Sequence, residues 1–219
     1  SEMCIRDREC IALLNECDIV VTNPPFSLMK EYIPLLAESG KQFLVLGNMN
    51  HITFKEIFHY FRENKMWLGY NAGHFWFKVP DYYEAKNTDY KQDEDGQKWR
   101  RLGNICWFTN MDIDIRHQFL DLYKHFSIQE YPEYDNYDAY FVKTVADIPC
   151  DTDKPLAVPI TFLSSFSPDQ FELLDANQFR KYDEVPVKSH GLIKDKDGTI
   201  KGKATYARLL VRNRNPEKE

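Results

Sequence analysis

Two hundred and nineteen residues, 43% of them hydrophobic and 15% aromatic, suffice for one ordinary domain and exclude a largely disordered chain. The net charge of −6 excludes a uniformly basic nucleic-acid binder, yet residues 188–219 carry nine Lys/Arg against four acids, a local +5 that leaves −11 for the rest. No apolar run approaches a membrane span and no charged-then-apolar leader occurs, so an unexported cytoplasmic chain with no membrane partner is expected.

Residues 1–8 fit no element that continues sensibly into residue 9 and beyond, and Met3-Cys4-Ile5-Arg6-Asp7-Arg8 reads as a string foreign to the gene. From Glu9 to Glu16, Ile11, Leu13 and Leu14 predict the end of a helix. Asp18-Ile19-Val20-Val21-Thr22 is a β-branched run that predicts a buried strand, which Pro24 and Pro25 end because proline lacks the ladder N–H. Ser27 is the expected N-cap of a helix reaching Leu36, and Gly40 its stop. A second buried strand over residues 42–47 completes a βαβ unit with parallel strands.

Phe54, Ile57, Phe58 and Phe61 recur at helical spacing and predict a third helix with a core face, ending near Asn64. Strands are expected over residues 66–70 and 74–79, a polar surface loop over 81–101, and a strand over 104–110. Beyond Pro132 the texture changes to short strands and turns. Asp197-Gly198 predicts a hairpin turn before an extended run over residues 203–211. A boundary near residues 126–150 divides the chain into 9–126 and 127–219.

The five cysteines form no C-x-x-C pair and none sits at zinc-ligand spacing from a histidine, so reduced thiols and no metal are expected. The six histidines show no H-E-x-x-H pattern, which argues against a metal hydrolase. The eight-residue spacings of His51 with His59 and His117 with His125 fit histidines on helix surfaces.

Asn23-Pro24-Pro25-Phe26 carries the chemistry. An exocyclic adenine amine is a poor nucleophile because its lone pair is delocalised into the ring. A catalyst must accept hydrogen bonds from the NH2 group and draw it toward tetrahedral geometry. The Asn side-chain oxygen is one acceptor, and a backbone carbonyl held by the following proline is another. The aromatic ring offers a face on which the base stacks. In duplex DNA the amine faces its pairing partner, so the base must be flipped out. A bare N-P-P-F is a turn in many proteins. Here it follows an apolar strand and precedes a helix, at the strand's carboxyl end where open α/β sheets bind ligands.

At these residues the sequence resembles the EcoRI-type family of adenine-specific DNA methyltransferases. Asp18-Ile-Val-Val-Thr-Asn-Pro-Pro-Phe-Ser27, Gly103-Asn-Ile-Cys-Trp-Phe-Thr-Asn110, Tyr134-Asp-Asn-Tyr-Asp-Ala139, Val158-Pro-Ile-Thr-Phe-Leu163, Pro168-Asp-Gln-Phe-Glu172 and Lys201-Gly-Lys-Ala-Thr-Tyr-Ala-Arg208 are similar to family blocks in the same order. The resemblance implies an α/β chain with part of a Rossmann-like S-adenosylmethionine-dependent methyltransferase fold and a C-terminal β-rich DNA-recognition region. It implies direct methyl transfer to a flipped adenine, without metal, on double-stranded DNA; a monomer is expected because methylating one strand at a time needs no two-fold partner. Asn23, Pro24, Pro25 and Phe26 then hold the amine, Trp107 or Phe108 adds a second wall, and Asp18 and Asn23 contact the cofactor. Lys188, Lys194, Lys196, Lys201, Lys203, Arg208, Arg212 and Arg214 are the expected DNA contacts.

The sequence departs from the family pattern in having no G-x-G upstream of Asn23. Truncation at the start is the reading this suggests, and the chain alone is expected to bind S-adenosylmethionine weakly or not at all. The competing readings are an RNA or protein-glutamine methyltransferase, for which tyrosine is the more usual fourth motif residue, and an inactive DNA-binding remnant.

Overall fold

Apolar runs punctuated by proline and glycine over the first fifty residues fold as their pattern asks. In the computed structural model, which describes residues 8–70, 73–84, 88–182 and 191–217, α1 spans Arg8–Glu16, β1 Ile19–Thr22, α2 Met29–Glu38 and β2 Gln42–Asn48. β1 and β2 run parallel, with Ile19 beside Gln42 and Thr22 beside Val45. Gly40 follows the helix at φ 72°, the left-handed conformation that a helix stop needs and glycine adopts without a Cβ clash.

Two details differ from expectation. Ser27 does not cap α2. A 3₁₀ turn over Phe26–Leu28 feeds straight into the helix, so Leu28 is already helical at φ −95°, ψ −2° and its N–H bonds the Pro25 carbonyl at 2.9 Å. β1 is also less buried than its composition suggests. Val20 packs on the core, whereas Ile19 is 47% and Val21 66% exposed, because alternate strand residues face opposite ways and only the Val20 face is covered.

α3 spans Lys55–Arg62 and buries Ile57, Phe58, Tyr60 and Phe61, the core face its aromatic spacing predicts. β3 (Trp67–Leu68) and β4 (Gly73–Lys78) follow. The expected loop over residues 81–101 instead contains β5 (Tyr90–Gln92) and the start of β6, which runs from Lys98 to Thr109. β6 pairs antiparallel with β2, β3, β4 and β5, and the strand expected over residues 104–110 is its second half. Asp93 closes the β5–β6 hairpin by accepting the Gln97 N–H at 2.8 Å. The first part of β6 is only half-buried, and its polar residues find aromatic partners rather than a core. Arg101 lies over the Trp76 ring at 5.9 Å, where Lys91 of the neighbouring β5 joins it at 4.6 Å.

The remaining strands are β7 (Tyr140–Phe141), β8 (Leu156–Pro159), β9 (Phe171–Leu174), β10 (Thr199–Ile200), β11 (Lys203–Ala204) and β12 (Arg208–Asn213). Four of them form a second sheet in the order β7-β8-β12-β9. Leu156, Ala157 and Val158 of β8 and Leu209, Leu210 and Val211 of β12 are all fully buried. One apolar cluster joins Phe58 and Phe108 to Leu156, Phe162 and Leu209, and Arg62 of α3 pairs with Asp175 at 2.7 Å. The two sheets therefore share a core.

The expected turn at Asp197-Gly198 is displaced. The β10–β11 hairpin turns at Lys201 and Gly202, whose φ values of 51° and 74° are those of a two-residue hairpin loop. Asp135 holds this turn, accepting the Gly202 N–H at 2.8 Å and the Lys201 N–H at 3.1 Å. Gly198 has another use. A Cβ there would lie 2.5 Å from Ile193 and 2.6 Å from Tyr134, so the backbone passes where no side chain fits.

Candidate functional site

β1 ends at Thr22 because two prolines follow Asn23, and the chain leaves the sheet at the carboxyl edge of the parallel pair. Asn23 is exposed, Pro24 buried, Pro25 exposed and Phe26 38% exposed. Pro25 adopts φ −55°, ψ 130°, and its carbonyl is occupied by Leu28. Among the described residues no hydrogen bond engages the Asn23 side chain or the Pro24 carbonyl, and Asn23 is exposed. On α2, burial raises the pKa of the Tyr32 hydroxyl, and the nearby Thr22 side chain opposes that rise.

The adjacent strand supplies a support that sequence reasoning missed. β2 ends in a 3₁₀ turn in which Asn48 accepts the Asn50 N–H at 2.9 Å and donates its own N–H to His51 Nδ1 at 3.2 Å. His51 is 6% exposed rather than on a helix surface. Burial lowers its pKa, and the acceptor role of Nδ1 specifies the neutral ring. That ring meets Phe26 edge-on, with centroids 5.2 Å apart and planes at 86°, and also touches Phe54 at 5.3 Å. A neutral imidazole thus braces the motif aromatic. The clue available in the sequence was position: Asn48 to His51 follow the second strand of the βαβ unit.

Registers place the expected second wall. Val45, beside Thr22, is beside Phe108; Leu46, one residue on, is beside Trp107. Trp107 therefore lies in the row where Asn23 leaves the sheet, two strands or about 10 Å across. Successive strand residues face opposite ways, and Phe108 is fully buried against Phe61 at 5.9 Å while Trp107 is half-buried. Phe108, 6.5 Å from the His51 ring, has no face to offer a base, and Trp107 lies half-buried on the opposite face of β6. Asp18 is not brought to this edge. It precedes β1 at the strand's amino end, five residues or about 16 Å from Asn23, so the two cannot share one small site.

The expected DNA contacts divide. Arg208 is 7% exposed, its guanidinium lies 4.5 Å over the Phe141 ring, and it donates to the Val142 and Lys143 carbonyls at 3.2 and 3.3 Å. It is a packing residue rather than a surface cation, which corrects its expected role. Arg212 donates to the Asp153 carbonyl and Arg214 to the Phe171 carbonyl, at 3.1 and 3.3 Å. Lys196, Lys201 and Lys203 are exposed around the β10–β11 hairpin, with Lys194 half-buried beside them. Lys188 lies outside the described residues. A further cation–aromatic surface, on β4 to β6, was not expected. Its aromatics Trp76 and Phe77 are 39% and 40% exposed.

A mixed sheet in the order β1-β2-β6-β3, helices on its core face and a separate β-rich sheet define an α/β chain of the class I methyltransferase type. The family model described as "Adenine-specific methyltransferase EcoRI" matches residues 2–214, and the chain belongs to that family. The match takes in most of residues 1–8, the segment expected to be foreign. The chain is 43% identical to Type II methyltransferase M.EcoRI of Escherichia coli, over 97% of this chain and 63% of that protein. It is 38% identical to M.MpnI of Mycoplasma pneumoniae and 37% identical to M.MgeORF184P of Mycoplasma genitalium, over 94% and 93% of this chain and 67% of each relative. This chain thus spans about two thirds of the length of these relatives. No solved structure matches it. Among the described residues no helix is long and apolar enough to cross a membrane.

Proposed function

We propose that the chain is the larger part of a site-specific DNA N6-adenine methyltransferase of the restriction-modification type, acting in the cytoplasm as a monomer. One observation carries the reading: Asn23, Pro24 and Phe26 follow β1 at the carboxyl edge of a parallel strand pair, with the Asn23 side chain and Pro24 carbonyl unengaged and the Phe26 ring packed on His51. The Asn23 side-chain oxygen and the Pro24 carbonyl each accept one N–H of the target amine. That leaves the nitrogen lone pair less delocalised and aims it along the edge. Phe26, held by His51, stacks on the base, and Trp107 closes the opposite side. These residues suit the acceptor end of the reaction.

S-adenosylmethionine supplies the electrophilic methyl group, and Asn23 is the described residue that suits contact with it. Residues 8–22 contain no glycine for a phosphate- or cofactor-type turn, and Asp18 is at the wrong end of β1. The described residues thus suit the acceptor side of the reaction better than the cofactor side. Residues 9–126 form the catalytic part and 127–219 the recognition part, in which Lys194, Lys196, Lys201, Lys203, Arg212 and Arg214 face DNA phosphates. The aromatic surface of β4 to β6 carries six Lys/Arg and six acids over residues 73–103, so it suits stacking better than charge-driven binding.

The test joins this chain to the remaining third of a relative and follows labelled methyl transfer to duplex DNA. Transfer to adenine that collapses in Asn23→Ala supports the reading. Transfer confined to RNA or to protein glutamine replaces it, and DNA binding without transfer in either form makes the chain a remnant.

A further inference from the structure

Far from the methylation edge, the chain gathers three side chains whose sequence spacing shows no motif. Cys150 and Asp151 follow Pro149, which forms a parallel bridge with Lys124, and the Cys150 N–H donates to the Lys124 carbonyl at 2.8 Å. That pairing sets His125 beside them, 25 residues earlier in the chain. The His125 Nδ1 lies 3.1 Å from Asp151 Oδ2 and 3.8 Å from Cys150 Sγ, and one donor atom from each residue lies within 4.8 Å of the others. The second Asp151 oxygen is engaged by the Phe126 N–H at 2.7 Å, which fixes the carboxylate's orientation.

We infer that His125, Cys150 and Asp151 form a binding site for a divalent cation of the zinc class. A Zn–S bond of about 2.3 Å and Zn–N or Zn–O bonds of about 2.05 Å, at tetrahedral angles, put S···N about 3.6 Å and N···O about 3.3 Å apart. The observed 3.8 and 3.1 Å are within a few tenths of an ångström of two edges of that tetrahedron. Sulfur, imidazole and carboxylate are zinc's ordinary donors, and one thiolate with one carboxylate balances its charge. A Cys-His-Asp relay is excluded by the geometry. A relay needs the acid and the nucleophile on opposite ring nitrogens, and here both converge on Nδ1.

His125 is 75% exposed at its side chain, and a cleft of about 280 Å³ lined by Leu120, Cys150, Asn213 and Glu217 opens beside the sulfur. The site is therefore reachable from solvent and leaves a fourth position for water or the Glu217 carboxylate. Bound metal would fasten residues 124–126, residues 149–151 and the end of β12, whose Asn213 side chain already donates to the Cys150 carbonyl at 3.2 Å.

The experiment uses the whole 219-residue chain, freed of metal, and titrates Zn2+ against a competing chromogenic chelator. One tightly held zinc per chain is expected, with affinity reduced at least about tenfold in His125→Ala. His125→Ala changes an exposed side chain and leaves the fold intact. Co2+ added in place of zinc should show thiolate-to-metal charge transfer that disappears in Cys150→Ser and persists in Cys10→Ser and Cys17→Ser. Failure of the folded chain to hold zinc overturns the inference. So does binding that His125→Ala leaves unchanged, or that is lost with Cys10 or Cys17 instead.

Discussion

The edge strand β1 and the central strand β12 are built from similar β-branched and aliphatic residues but occupy opposite environments. Leu209, Leu210 and Val211 are fully buried between neighbours on both sides, whereas Val21 is 66% and Ile19 47% exposed. Position in β12 is secured by burial from every direction. In β1 it is secured on one face only, by Val20, and the chain leaves the strand through an exposed Asn23. The contrast teaches that apolar composition specifies a strand but not which of its faces is covered. The site occupies the less covered strand.

Substitutions break this comparison in order of size. Asn23→Ala in the joined protein should lower the methylation rate by about 10²–10³-fold, the usual cost of losing one preorganised hydrogen-bond partner, while leaving the melting temperature unchanged. Leu210→Ala reverses the pattern and should cost about 2–5 kcal/mol in urea unfolding, because the void lies in packed core. Gly47→Ala should cost about 1–3 kcal/mol. The added Cβ would lie 2.4 Å from the Phe108 ring and 2.9 Å from Met29. Val21→Ser, on the exposed face, should stay within about 0.5 kcal/mol.

His51 sharpens the comparison through pH. Its folded pKa lies below the usual 6.5 because burial disfavours the charged ring. The unfolded chain therefore takes up the proton first. This contribution to stability is complete above pH 6.5 and declines as the pH falls through the lowered folded value. Unfolding free energy measured between pH 8 and 5 should show that decline, and His51→Gln should flatten it.

Much of the βαβ unit was legible in the sequence because its signals are local. The Asp18–Thr22 run, the Pro24-Pro25 break, Gly40 and the aromatic spacing of α3 each act within a turn or two. What stayed hidden depends on distant partners. The first half of β6 reads as a polar loop because its residues pair with Trp76 and neighbouring strands rather than with a core. The Asp197-Gly198 signal misled because the turn at Lys201 is stabilised by Asp135, 66 residues away. The same holds for the sites. The Asn23–Phe26 corner is contiguous and could be read, while His51 as its brace and the meeting of His125 with Cys150 required the fold.

The end of β6 has one more consequence, for the accuracy of folding. Trp107 and Phe108 are adjacent and similar in size, so a slip of one residue along β2 would turn Phe108 outward and drive Trp107 into the core. Asn110 guards against that error. Its Oδ1 accepts the Phe43 N–H at 2.8 Å and its Nδ2 donates to the Lys41 carbonyl at 2.8 Å, while Thr109 donates to the Phe43 carbonyl at 2.7 Å. This three-bond latch at the strand's end determines which of two neighbouring rings enters the core and which faces the other way.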